Sequence, residues 1–154
     1  MNNSMKFFVI SLLLSSPSYA YQKEINIDDL NEVKESIEKR QNVMSFERSG
    51  VGNDIPIPQE SKDMPKRSYF SIIKYDIYSN LNGRSTINAI ILNNSGGGIK
   101  IKPENIKAYL SDGRYISPVS IEQKGRFSQG EQKVVILNFG EMEESIIGLM
   151  TRSY

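Results

Sequence analysis

Residues 69–93 read YFSIIKYDIYSNLNGRSTINAIILN, and this stretch decides the fold. Two β-rich runs, Tyr69 to Tyr78 and Thr86 to Asn93, flank Asn82-Gly83, a dipeptide suited to a tight hairpin because both residues tolerate positive φ. The same grammar continues downstream. Ile99 to Lys102 alternates apolar and basic residues after the Asn94-Ser95-Gly96-Gly97-Gly98 loop. Ile106, Ala108 and Leu110 alternate with Lys107 and Tyr109, and Asp112-Gly113 turns the chain into Tyr115 to Ile121. Val134 to Phe139 is almost wholly apolar, as in a strand buried on both faces or central in a sheet, and Ile146 to Thr151 supplies a last strand. About seven strands in residues 67–154 predict a mainly β protein, a β-sandwich, with a small OB-like barrel as the alternative.

Upstream of this domain the composition changes twice. Residues 48–66 scatter Gly50, Gly52, Pro56, Pro58 and Pro65 among polar residues, which disfavours a helix and reads as an extended linker or as a strap over the domain. Residues 21–47 are read as an amphipathic helical segment, helical from residue 25. Asn26 suits the N-cap, Ile25 can staple onto Leu30, and Asp28 and Asp29 complement the helix dipole. Leu30, Val33, Ile37 and Met44 form one narrow apolar stripe, interrupted by Gln41. A stripe this thin suits a helix lying on its own domain, or one that docks on a partner or a second copy.

Residues 1–20 resemble a secretory signal peptide. Lys6 precedes the apolar run Phe7 to Leu14, and Ser18 and Ala20 provide a small-x-small cleavage site, so export with cleavage near Ala20 is expected. The run is shorter than the ~20 residues of a membrane-spanning helix, and no later segment has that character. A periplasmic or secreted location follows as the expectation. Asn93-Asn94-Ser95 would be a glycosylation acceptor only in a eukaryotic secretory pathway.

Composition narrows the chemistry. Removing residues 1–20 takes away Lys6 alone, leaving 18 basic and 18 acidic residues, so no general attraction for nucleic acid or anionic lipid is expected. The chain has no Cys and no His, which removes disulfides, thiol and imidazole catalysis, and the usual zinc ligands. No catalytic, metal or cofactor site is expected. The carboxylates Glu141, Glu143 and Glu144 read as solvated charge near a strand end, Asp112-Gly113-Arg114 as a turn, and Gly96-Gly97-Gly98 as a strand connection lacking the helix of a phosphate loop. Lys100, Lys102 and Lys107 could form a basic face on adjacent strands, but guarding a sheet edge is the plainer role.

Asn93-Asn94-Ser95 at a strand end, Ser111-Asp112-Gly113 between strands, and Phe127-Ser128-Gln129-Gly130-Glu131 leading to an apolar strand ending at Phe139 together resemble immunoglobulin-like modules of exported bacterial proteins. The resemblance implies an immunoglobulin-like sandwich, without the disulfide and tryptophan of antibody domains. The whole layout is similar to periplasmic accessory subunits of pilus, secretion or conjugation machines, implying a non-enzymatic protein that contacts protein partners in the cell envelope. The expected partner-binding residues are Leu30, Val33 and Ile37 on the helix and Tyr109 on the sheet, where Tyr109 alternates outward. A secreted ligand-binding or inhibitor module, acting through loops Asn94 to Gly98 and Lys124 to Gly130, is the alternative. An enzyme using carboxylates or a serine-lysine pair ranks behind both.

Overall fold

A computed structural model describes residues 27–52, 54–56 and 69–152. The elements run α1 (Ile27–Asn42), β1 (Ser45–Val51), β2 (Phe70–Ser79), β3 (Arg84–Asn93), a 3-10 turn (Pro103–Asn105), β4 (Ile106–Leu110), β5 (Tyr115–Ile116), β6 (Ser120–Glu122), β7 (Gln132–Glu141) and β8 (Ile146–Thr151). All paired strands are antiparallel, in a five-stranded sheet β1-β2-β3-β7-β6 and a three-stranded sheet β5-β4-β8. The architecture is a β-sandwich with an N-terminal helix.

The period-two pattern puts one face of each sheet inward. Ile72, Tyr75 and Ile77 of β2, Ile87, Ala89 and Ile91 of β3, and Val135, Leu137 and Phe139 of β7 belong to one buried cluster with Ile106, Ala108 and Leu110 of β4 and Ile146 and Leu149 of β8. Burying each large apolar side chain stabilises the fold by about 1.5–3 kcal/mol, and with no cysteine this term does the work of staples. The hairpin between β2 and β3 forms where expected: the Gly83 N–H donates to the Asn80 carbonyl at 3.1 Å, with Gly83 at φ 78°.

Several boundaries differ from the sequence reading. Tyr115 to Ile121 is divided: β5 pairs with β4, then the chain passes Pro118 and β6 pairs with β7 of the other sheet. Ile99 to Lys102 is no strand; Ile99 makes an isolated bridge to Phe127 and Ile101 is buried. The strand from Val134 lies inside its sheet, between β3 and β6, as the second of the two expected alternatives has it, but is covered on one side only, since Val134 is 63% exposed while Val135 is fully buried. Its continuous apolar run therefore leaves Val134 and Ile136 on an open face.

The largest correction concerns residues 43–56. The helix ends at Asn42, not at residue 47, and residues 45–51, expected as helix end and linker, form the edge strand β1 against β2. Asp54 to Pro56 then crosses the sandwich as a strap. Ile55 is buried, Tyr115 Oη donates to the Pro56 carbonyl at 2.6 Å, and Tyr75 Oη donates to Asp54 Oδ1 at 2.9 Å. Gly50 and Gly52, which look like linker punctuation, are needed for contact: a Cβ at Gly50 would collide with the Tyr75 ring end, and one at Gly52 with the Ile72 carbonyl. The expected N-cap Asn26, the staple residue Ile25, residues 1–20 and the remainder of the linker lie outside the described residues.

Tyr75 is the pivot of this closure. Burial first, then the bond to Asp54, push its phenol up to about 12 from an ordinary 10.0. The unfolded chain ionises near pH 10 while the folded chain keeps its proton, so stability is complete below about pH 10 and lost as pH rises towards about 12. Tyr75→Phe is expected to cost about 1.5–3 kcal/mol at neutral pH, the value of a hydrogen bond to a charged group. Urea denaturation at pH 8 and 11 should show a smaller alkaline decline in the variant than in the native chain.

Candidate functional site

The helix is built from local signals. Lys39 and Arg40 occupy its last turn, where cations complement the dipole, and Glu35 and Lys39 pair at 3.8 Å. That exposed pair is worth only about 0.3–0.5 kcal/mol. Asn42 closes the C-terminus by donating to the Glu38 carbonyl at 3.0 Å, while Asn82 Nδ2 at the β2–β3 hairpin donates to Asn42 Oδ1 at 3.1 Å. The helix is thereby held at one end of the sandwich.

Leu30, Val33 and Ile37 are 54%, 55% and 50% exposed. They share one side of α1, and that side stays half or more exposed. Three apolar residues at helical spacing stay in water although burial would stabilise each. An amphipathic helix in this condition presents a ready docking stripe.

Tyr109 lies elsewhere, on the outer side of the three-stranded sheet, where it pairs with Gly148. It is half-buried. Its ring stacks on Tyr115, with centroids 5.0 Å apart at 38°, and Tyr115 is tied to Pro56 of the strap. Burial first, then the Tyr109 phenol, raise the Tyr115 phenol above its ordinary value. The outward alternation is as expected, the strap engages the neighbouring Tyr115, and Tyr109 lies on a different element from the helix stripe.

At the opposite end from the β2–β3 turn, the two loops of the alternative reading come together. Buried Asn93 donates to the carbonyls of Gly96 and Ser128, both at 3.0 Å, and accepts the Ser95 N–H at 2.9 Å. Glu131 accepts the Ser128 N–H at 2.6 Å, and that bond, ahead of Lys133, lowers its carboxyl below the usual range. Sequence reading marked Asn93 only as a strand end. Its burial at the junction of both loops is a tertiary fact.

Among the described residues, the acidic side chains do not converge on a buried centre. Glu141 pairs with Arg84 at 3.5 Å, Glu144 with Arg114 at 2.7 Å, and Glu47 accepts a hydrogen bond from Ser79. Glu47, Glu143 and Glu144 line a groove of about 530 Å³ with the Asn80–Gly83 turn, open to solvent. Asp112 and Gly113 form the expected turn: the Arg114 N–H, then its guanidinium, hold the Asp112 carboxyl below its ordinary value. Lys102 pairs with Glu104 at 3.8 Å and, like Lys100, sits on irregular chain, so a basic face on adjacent strands does not form. Among the described residues there is no cluster of three potential metal ligands, and no helix is long and apolar enough to cross a membrane.

No family model, curated protein or solved structure matches this chain.

Proposed function

We propose that this protein is an exported, non-enzymatic interaction module: the sandwich is the rigid body and α1 is the element offered to a protein partner in the cell envelope, in the manner of an accessory subunit of a pilus, secretion or conjugation machine. The observation that carries this reading is the stripe Leu30, Val33 and Ile37, exposed together on one side of α1. A partner groove that buries all three would gain about 1.5–3 kcal/mol from each. The anchorage of Asn42 to Asn82 limits the freedom lost on docking.

Changing Leu30, Val33 and Ile37 together to Ser tests it. Capture of the partner from a detergent extract of the native envelope should fall at least about tenfold, a loss of 1.4 kcal/mol or more. The thermal transition of the sandwich should stay within about 2 °C, because these side chains contribute nothing to its core. Undiminished capture by the triple variant removes the proposal.

The cross-braced loops favour a second reading, in which the module binds a ligand through Asn94 to Gly98 and Lys124 to Gly130. Asn93 holds these loops to each other and Glu131 braces the second loop within itself before any ligand arrives, which lowers the ordering cost of binding. Under this reading the Ser triple variant binds its target unchanged, whereas Asn93→Ala weakens binding.

A further inference from the structure

The outer face of the five-stranded sheet carries an exposed apolar patch. Val134 and Val51 are 63% and 60% exposed, Ile73 is 40% exposed, and Ile90, Leu92 and Ile136 are half-buried. The register arranges part of this face in two consecutive cross-strand rows. Val51, Lys74, Ile90 and Val134 form one row; Ser49, Asp76, Asn88 and Ile136 form the next. Exposed apolar side chains gathered on one face and interleaved with polar ones mark an interaction surface.

We propose that this face binds the same face of a second copy, giving a two-fold symmetric dimer independent of α1. The arrangement of charge identifies the occupant. Lys74 and Asp76 stand two residues apart on the same side of β2, as Val134 and Ile136 do on β7. A two-fold axis running across the strands between the two rows places Lys74 over the partner subunit's Asp76. The same axis places Val134 over the partner subunit's Ile136, and each contact occurs twice. The axis also sets Ile90 over the partner subunit's Asn88 and Val51 over the partner subunit's Ser49, so the paired opposite charges and the Val134–Ile136 contact carry the self-complementarity that an isologous interface requires.

Size agrees with this arrangement. The five strands hold 40 residues, which at about 3.3 Å rise and 4.8 Å strand spacing cover about 630 Å² per copy. Two such faces reach the lower end of a specific interface, about 1,200 Å² in total. A reversible dimer is therefore the expected species.

Sedimentation equilibrium of the full chain between 5 and about 200 µM reads the association directly, since a lower-end interface of this size supports micromolar affinity. A concentration-dependent dimer is expected. Val134→Arg should raise its dissociation constant at least about a hundredfold by placing unpaired charge within the contact, and Lys74→Asp at least about tenfold. The double exchange Lys74→Asp with Asp76→Lys should recover the loss, because the contact is reciprocal; a merely destabilised fold would not recover. Far-ultraviolet circular dichroism confirms that each variant is folded. A monomer throughout the range overturns the proposal. A dimer unaffected by Val134→Arg but abolished by the Leu30, Val33, Ile37 triple Ser variant also overturns it, by assigning self-association to the helix.

Discussion

Phe127→Ala should lower the stability of the sandwich by about 3–5 kcal/mol, a large share of the 5–15 kcal/mol that holds a typical domain together. Phe127 lies in a segment with no regular strand, yet it is fully buried. Its ring meets Phe70 edge-on at 5.5 Å and receives the Lys133 ammonium 5.7 Å from its centroid. Its N–H donates to the Ile99 carbonyl and its carbonyl accepts the Gly98 N–H, both at 2.7 Å, so the ring anchors the glycine loop against the core. Alanine would leave a ring-sized void between the strand β2 and the loops that Asn93 braces. Equilibrium unfolding in urea should show the midpoint falling with little change in slope, and Phe127→Leu should restore more than half of the loss. A decrease below about 1 kcal/mol would mean that these loops fold without the ring.

Gly148→Ala should cost about 2–4 kcal/mol, against a typical effect near 1 kcal/mol for a single substitution. A Cβ at this position would collide with Ile55 Cγ2 and approach Asp54 Oδ1 to 2.9 Å and Tyr75 Oη to 3.0 Å. All three belong to the strap and its anchor, so the methyl group lifts the strap. Burial of Ile55, worth about 1.5–3 kcal/mol, and the Tyr75–Asp54 hydrogen bond are then lost together. Limited proteolysis should open cleavage near residues 50–56 before the sandwich unfolds. Ile55→Ala removes the colliding Cγ2, so adding it to Gly148→Ala should cost at least about 1 kcal/mol less than in the native chain. Strictly additive losses would place the strap elsewhere in solution.

Gly148 and Phe127 also mark where reading residues in order succeeds and where it stops. Alternation in Ile106 to Leu110, the Asn82-Gly83 and Asp112-Gly113 turns, and the spacing of Leu30, Val33 and Ile37 are local patterns, and each reappears in the fold. They are legible because a turn or a helical face depends on neighbours within a few residues. The exposure of Val134 was not legible. An apolar run reads alike whether one face or both are covered, and in this two-sheet sandwich the second sheet covers only the inner face, leaving Val134 on the outer one.

The amino-acid order by itself determined a strand-rich body punctuated by tight turns, a helix with one thin apolar stripe, and chemistry without imidazole or thiol. Tertiary structure alone turned residues 45–56 from an apparent helix end and linker into an edge strand and a strap. It also paired the Asn94 and Phe127 loops and aligned Lys74, Asp76, Val134 and Ile136 on one open face. The physical reason is distance along the chain. Gly50 is chosen for the Tyr75 ring, Gly148 for Ile55, and Asn93 for the Ser128 carbonyl, contacts between residues too far apart in sequence to leave a local pattern.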